Sequence, residues 1–131
     1  MGLVYILAGF LILIFVWSAV DQIRLSRHRG VSRESFIGEF TAAGIPAEIP
    51  GAVCDHYVSL CVSRHFSIAP DDSFPRTFRQ AHEDVDDDAE DLVKALKMEL
   101  PTESVLRQWE TPLETLRDMV LWLNWIRERQ A

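Results

Sequence analysis

The chain has 131 residues and a formal net charge of −7. With one apolar N-terminal segment set aside, about 100 residues remain, enough for a single domain with a modest core. Because binding to nucleic-acid phosphates requires a basic face, the negative charge argues against a nucleic-acid partner.

The segment from Leu3 to Trp17 is an unbroken apolar run, with no charged residue before position 21. A membrane-spanning helix needs about 20 apolar residues, so the sequence predicts a transmembrane anchor at 1–24 that contacts lipid through residues 3–20. A cleaved signal peptide is one alternative, but no Lys or Arg precedes the run, and Trp17 would lie third from a cut after Ala19. A buried core helix is another, although core helices of this length usually have a polar face.

Basic residues cluster at the C-terminal end of this predicted anchor and just beyond it. They are Arg24, Arg27, Arg29 and Arg33. Short Arg-rich flanks stay on the cytoplasmic side, so the C-terminal domain is predicted to face the cytoplasm. The expected location is a membrane crossed once, with a bacterial inner membrane as the expected one.

Four residues of zinc-binding type lie close together in the sequence: Cys54, His56, Cys61 and His65. On a helix Cys54 and His65 would lie about 16 Å apart, too far to share one ion. Only Cys61 and His65, at i and i+4, have the spacing to share a metal. The two cysteines would be about 10 Å apart, too far for a disulfide, so the sequence predicts buried thiols and no metal site.

The segment 25–45 is predicted to hold a short helix capped by Ser32 and ended by Gly44 and Pro46. Its apolar side consists of Phe36, Ile37 and Phe40.

The domain 46–131 is predicted to begin with a core helix that Pro46 and Pro50 open and that ends at about Arg64. Its apolar face includes Ile49, Val53, Tyr57, Leu60 and Cys61. A long loop from His65 to Asp84 follows, and four apolar residues are expected to hold it to the core: Phe66, Ile68, Phe74 and Phe78.

Three further helices are predicted. One covers about Asp86 to Glu99, with Asp84 or Asp86 as N-cap, and a short one ends near Trp109. The apolar stripe of the first of these helices consists of Ala89, Leu92, Val93 and Leu96. A capping box at Thr111-Pro112-Leu113-Glu114 predicts a last helix to about Arg129. Its inward residues are Leu113, Leu116, Val120 and Leu123. No alternating strand pattern occurs, so the predicted class is all-α.

The order of these elements is a long helix, a long loop, an acid-headed helix, a short helix and a closing helix. This order of elements resembles the order in acyl carrier proteins. The segments that carry the resemblance are Pro70-Asp71-Asp72-Ser73-Phe74, Asp84 to Leu96, Met98-Glu99-Leu100-Pro101 and Trp109 to Leu123. The likeness covers roughly His56 to Ile126 and implies an acyl-carrier-like four-helix domain behind the anchor.

The resemblance also implies a phosphopantetheine site, at a serine in an Asp-Ser-Leu motif that begins the second helix. When Asp91-Leu92 is aligned with the family's Glu-Leu pair, this motif falls on Val85-Asp86-Asp87, which has no serine. A carboxylate cannot form the phosphodiester, so the likeness implies the scaffold without the cofactor. Ser73, in an Asp-Ser-Phe triplet, is the alternative attachment site.

The predicted partner-binding residues are the acids at the start of the second carrier-like helix: Asp84, Asp86, Asp87, Asp88, Glu90 and Asp91. Carrier proteins present this helix to basic patches, so here it would be a docking face. A calcium loop is excluded, since Ala89 stands where that loop needs glycine. A solvated, capped helix start is the alternative.

No catalytic triad order, HExxH motif or phosphate-binding glycine loop occurs. The sequence therefore predicts a non-enzymatic, membrane-anchored adaptor or accessory subunit without a cofactor, which binds a membrane or cytoplasmic protein. A carrier modified at Ser73 and a structural subunit of a larger membrane complex are the alternatives. The tryptophans Trp109, Trp122 and Trp125 suit either a core or an interface.

Overall fold

The computed structural model describes residues 2–26, 30–60 and 67–130. Within these ranges the chain forms seven helices and no strand, which confirms the all-α class. They are α1 (Gly2–Ser26), α2 (Arg33–Ala42), α3 (Glu48–Ser59), α4 (Phe74–Thr77), α5 (His82–Ala95), α6 (Glu103–Leu106) and α7 (Leu116–Gln130).

Helix α3 lies at the centre of the domain and contacts α2, α5 and α7. The predicted inward residues Ile49, Val53 and Tyr57 are fully buried in it. Phe36 and Phe40 of α2 belong to the same core, although the sequence assigned them to a separate segment at 25–45. Helix α2 is therefore packed into the domain.

The boundaries of α2 agree with the prediction. The Ser32 hydroxyl accepts a hydrogen bond from the Ser35 N–H at 3.1 Å, and Gly44 after the helix has φ +89°. Helix α3 ends at Ser59, earlier than predicted, and Leu60 is 52% exposed.

Four residues of the sequence predictions, Cys61, His65, Phe66 and the helix end at Arg64, lie outside the described residues.

The predicted loop before α5 contains the short helix α4. Ser73 is its N-cap, and its hydroxyl accepts from the Arg76 N–H at 3.3 Å. Ile68 and Phe74 are buried and Phe78 is half-buried, as predicted.

Helix α5 begins four residues before the predicted Asp86. Its N-cap is Ala81, and the Asp84 carboxylate accepts from the Ala81 N–H at 3.1 Å. The helix ends at Ala95, where Lys97 has φ +58° and the Met98 N–H bonds to the Val93 carbonyl. This is a Schellman motif with lysine at the position that usually holds glycine.

The predicted start of the last helix at Thr111 is wrong, because α7 begins at Leu116. The Phe74 N–H bonds to the Glu114 carbonyl and the Leu116 N–H to the Asp72 carbonyl, which keeps residues 113–115 extended. The capping box lies at Thr115 instead: its hydroxyl accepts from the Asp118 N–H at 3.2 Å, and the Asp118 carboxylate accepts from the Thr115 N–H at 3.0 Å.

Candidate functional site

Helix α1 has almost no protein surface to pack against. By length and composition its span Gly2–Val20 is apolar enough to cross a membrane, and none of the span is buried by the described part of the chain. Its large apolar side chains are exposed, from 52% at Val16 to 77% at Phe15. Exposing apolar surface to water costs about 25 cal/mol per Å². Contact with an apolar environment outside the described chain would therefore stabilise this surface relative to water.

The domain begins almost directly after α1 ends. The Gly30 N–H donates to the Ser67 hydroxyl at 3.2 Å, and the Val31 N–H donates to the Ile68 carbonyl at 2.9 Å. A Cβ atom on Gly30 would lie 2.3 Å from the backbone C and O of Ser67. Only glycine allows the two segments to approach this closely.

A contact also joins α1 itself to the domain. It is made by residues 75–81, which we name the α4–α5 turn and which include the last three residues of α4. The Arg79 guanidinium lies 5.5 Å from the centroid of the Trp17 ring, a cation–π arrangement. Arg79 has φ +51°, and the following Gln80 N–H bonds to the Phe74 carbonyl at 3.0 Å. The turn is thus held by its backbone with Arg79 against α1.

Most of the predicted docking residues form one exposed surface, which we name the acidic face of α5. It consists of Glu83, Asp84, Asp86, Asp87, Glu90 and Asp91, all exposed. Glu90 forms an ion pair with Lys94 at 3.0 Å, whereas Asp86, Asp87 and Asp91 form no ion pair with any described residue. The face therefore presents uncompensated negative charge.

Asp88 does not belong to this face, which corrects its assignment to the docking residues. It is only 9% exposed, and its carboxylate is 2.9 Å from His56 Nε2 and 2.8 Å from the donating Gln80 Nε2. A buried carboxylate requires such partners. Asp88 thus cross-links α5 to α3 and to the α4–α5 turn.

Tyr57 lies beside this cluster in the core. Burial raises the pKa of Tyr57, and the charge of Asp88 raises it further. The phenol therefore stays protonated at neutral pH. It packs near Phe74 and Phe78, with ring centroids 5.4 and 5.1 Å away.

The sequence carries a signal for this cluster beyond the features on which the predictions rest. Asp88 lies three residues after Val85 and four before Leu92, which are both buried. That spacing places Asp88 on the apolar stripe of α5, and a lone acid on such a stripe indicates a buried partner. His56 on α3 was considered only as a metal ligand. The Arg79–Trp17 contact had no sequence signal.

Ser73, the alternative attachment site, lies in a groove of about 730 Å³ between α4, the start of α5 and the segment before α7. Its hydroxyl caps α4, and its N–H donates to Thr77 Oγ1 at 3.2 Å. Ser73 is nine residues before the first residue of α5, whereas Asp86, aligned with the family's serine, is the fifth residue of that helix.

No group of three metal-ligating side chains occurs in the ranges that the structure describes. Cys54 is 3% exposed, and burial raises the pKa of its thiol. A protonated buried thiol is a poor nucleophile. Cys61 and His65 lie outside the described residues.

The predicted membrane-flanking arginines are placed only in part. Arg33 is the first residue of α2 and pairs with Asp55 of α3, with Nε 2.9 Å from Oδ1. Arg24 lies in the last two turns of α1. Arg27 and Arg29 are outside the described residues.

The three tryptophans divide between core and edge. Trp122 is 7% exposed in the core. Trp109 and Trp125 are half-buried with ring centroids 5.4 Å apart, and the Arg129 guanidinium lies 4.0 Å from the Trp125 centroid.

These contacts indicate a helical domain that contacts an exposed apolar helix through Arg79 and Trp17, with an acidic surface open to solvent. No protein-family model, curated protein or solved structure matches the chain.

Proposed function

We propose that the protein is a non-enzymatic, single-pass membrane adaptor or accessory subunit. Helix α1 would cross the bilayer, and the domain would bind a protein partner in the cytoplasm. The observation that carries the proposal is the acidic face of α5, where Asp86, Asp87 and Asp91 have no ion pair with a described residue. Such a face favours a partner with a basic patch, because complementary charge sets the rate of association and the register.

The exposure of α1 supports the membrane part of the proposal. A soluble protein rarely exposes a contiguous apolar surface of this extent, and such a surface is typical of a membrane contact. The orientation rests on the Arg-rich flank, Arg24 to Arg33, which favours the cytoplasmic side. A bacterial inner membrane remains our expected location.

We further propose that α3, α5, α6 and α7 form an acyl-carrier-like scaffold that lacks the cofactor. The order of the four helices and the long connection between α3 and α5 support this assignment. The position of the family's serine is occupied by Asp86 on the acidic face of α5. In this proposal the partner would bind the face itself rather than a group attached to it.

The docking proposal is tested by photocrosslinking in native membranes, with the crosslinker on the acidic face. Asp86→Asn with Asp87→Asn should reduce the main adduct several-fold, and added salt should do the same for the unsubstituted protein. Asp88 is left unchanged because it is buried. The charge-matched control is Glu103→Gln with Glu110→Gln, two exposed acids of the segment around α6.

An undiminished adduct in the Asp86 and Asp87 variant would contradict the docking face. If replacement of α1 by an unrelated membrane-spanning helix then abolished the adduct, the structural-subunit alternative would hold instead.

The carrier alternative at Ser73 requires its own measurement. After co-expression with a phosphopantetheinyl transferase, the intact mass should stay unchanged if the domain lacks the cofactor. A mass increase that disappears in Ser73→Ala would establish the carrier. Ser104→Ala, which alters an exposed serine on α6, is the matched control.

A further inference from the structure

We propose that the α4–α5 turn is a membrane-surface contact that binds anionic phospholipid headgroups through Arg76 and Arg79. The inference rests on the proposed function, because it requires α1 to span the bilayer. It adds a lipid-binding surface on the domain itself, separate from the acidic face of α5.

The proposal starts from the position of Trp17 relative to the end of the proposed membrane span. Trp17 lies three residues before Val20, the end of the apolar span, which is about 4.5 Å of helix rise. This places its ring in the interfacial region, where tryptophan is enriched. Because the Arg79 guanidinium is 5.5 Å from that ring, it lies at the level of the headgroups.

The short connection supplies the second step. Helix α1 ends at Ser26, and Gly30 is already bonded to Ser67 of the domain. Four residue steps span at most about 14 Å, so the domain cannot move far from the end of α1. Arg79 contacts α1 nine residues before that end. The turn therefore reaches back along α1 toward the bilayer.

The construction of the turn supplies the third step. Buried Phe74 and the bond from Gln80 to the Asp88 carboxylate, at 2.8 Å, hold its two ends in the domain. Between them Pro75, Arg76 and Arg79 are exposed. An arginine presents a planar fork of donors that suits phosphate oxygens. The turn is thus a fixed support that holds Arg79 at headgroup depth, with the exposed Arg76 three residues earlier in the chain.

The test uses the full-length protein in nanodiscs that carry a gadolinium-chelating headgroup lipid. The membrane is phosphatidylcholine alone or a mixture with phosphatidylglycerol. Paramagnetic broadening of the amide signals of residues 76–81 should exceed that of α6 several-fold. Phosphatidylglycerol should increase it, and Arg76→Gln with Arg79→Gln should remove the increase. Arg107→Gln, at the exposed C-cap of α6, is the matched control, and Arg79→Lys, which keeps the charge without the planar fork, should retain only part of the lipid dependence.

Two results would overturn the inference while leaving the proposed function intact. One is equal broadening of the turn and α6 in protein that floats with carbonate-washed vesicles. The other is an unchanged lipid dependence in the double arginine variant. Failure of the protein to float would instead remove α1 from the membrane, and with it both proposals. Circular dichroism of each variant verifies that the domain remains helical.

Discussion

Helices α1 and α7 are both rich in apolar residues, but they use them differently. In α7 the apolar residues recur at helical spacing, and Leu116, Val120 and Leu123 are fully buried. In α1 the apolar residues follow one another without interruption. Leu3 near its start and Trp17 near the end of the apolar run are both more than 60% exposed. The comparison teaches that periodicity, rather than apolar content, records whether an element packs against its own chain.

The largest expected effect comes from truncating one leucine in each region. Leu123→Ala should lower the free energy of unfolding by roughly 2–5 kcal/mol, because it opens a cavity in the core. Leu11→Ala, at a site 67% exposed, should leave the stability of the domain unchanged. Urea unfolding in detergent micelles, followed by near-ultraviolet circular dichroism, measures both. A similar loss for Leu11→Ala would mean that α1 packs against the domain.

A second pair separates the two sides of α5. Asp88→Ala should lower the free energy of unfolding by roughly 1–3 kcal/mol, since it leaves His56 and Gln80 without their acceptor. Asp87→Ala, on the acidic face, should change it by less than about 0.5 kcal/mol. The same unfolding assay applies. Equal stability of the two variants would contradict the inward position of Asp88.

A third prediction concerns alkaline pH. An unfolded tyrosine ionises near pH 10, whereas the folded-state pKa of Tyr57 is raised. The unfolded state therefore loses its proton first, and stability should fall above about pH 10 by up to about 1.4 kcal/mol per pH unit. Tyr57→Phe should flatten this slope in unfolding measurements from neutral pH upward. If the slope is unchanged in Tyr57→Phe, the loss of stability at alkaline pH is due to other ionisable groups.

The smallest effect concerns the start of α7. Thr115→Ala should cost about 1 kcal/mol of stability, because it removes the acceptor for the Asp118 N–H. Thr111→Ala should cost nothing measurable, since Thr111 is exposed and caps no helix. Thermal unfolding of the two variants distinguishes them. A larger loss of stability in Thr111→Ala than in Thr115→Ala would instead support a helix that starts at Thr111, as the sequence predicted.

Most core positions followed from the sequence because they depend on local periodicity, whereas the short helix α4 lies in a segment that was predicted to be a loop. Ser32, Gly44 and the buried residues Phe40, Val53 and Leu123 are cases in which a local pattern decided the structure. The exposed Leu60 marks where periodicity continued past the observed helix end.

The failures came where distant segments decided the local conformation. The capping-box sequence that begins at Thr111 fulfils the local rules for a helix start. Residues 114 and 116 form backbone hydrogen bonds with residues 74 and 72, however, and the helix begins later. Lys97 ends α5 without the glycine that usually marks such an end.

The candidate site was predicted less well than the fold. Exposed acids follow from composition, but the inward turn of Asp88 depends on His56, 32 residues earlier in the chain.

The position of α7 in the chain has a consequence for biosynthesis. This helix supplies six buried residues and contacts α3, yet it begins about 90 residues after α1 ends. A ribosome adds about 5–20 residues per second, so several seconds separate the synthesis of the two helices. The core cannot be completed in that interval, so under the proposed membrane anchoring α1 would be free to engage the insertion machinery while the rest of the chain is still unfolded.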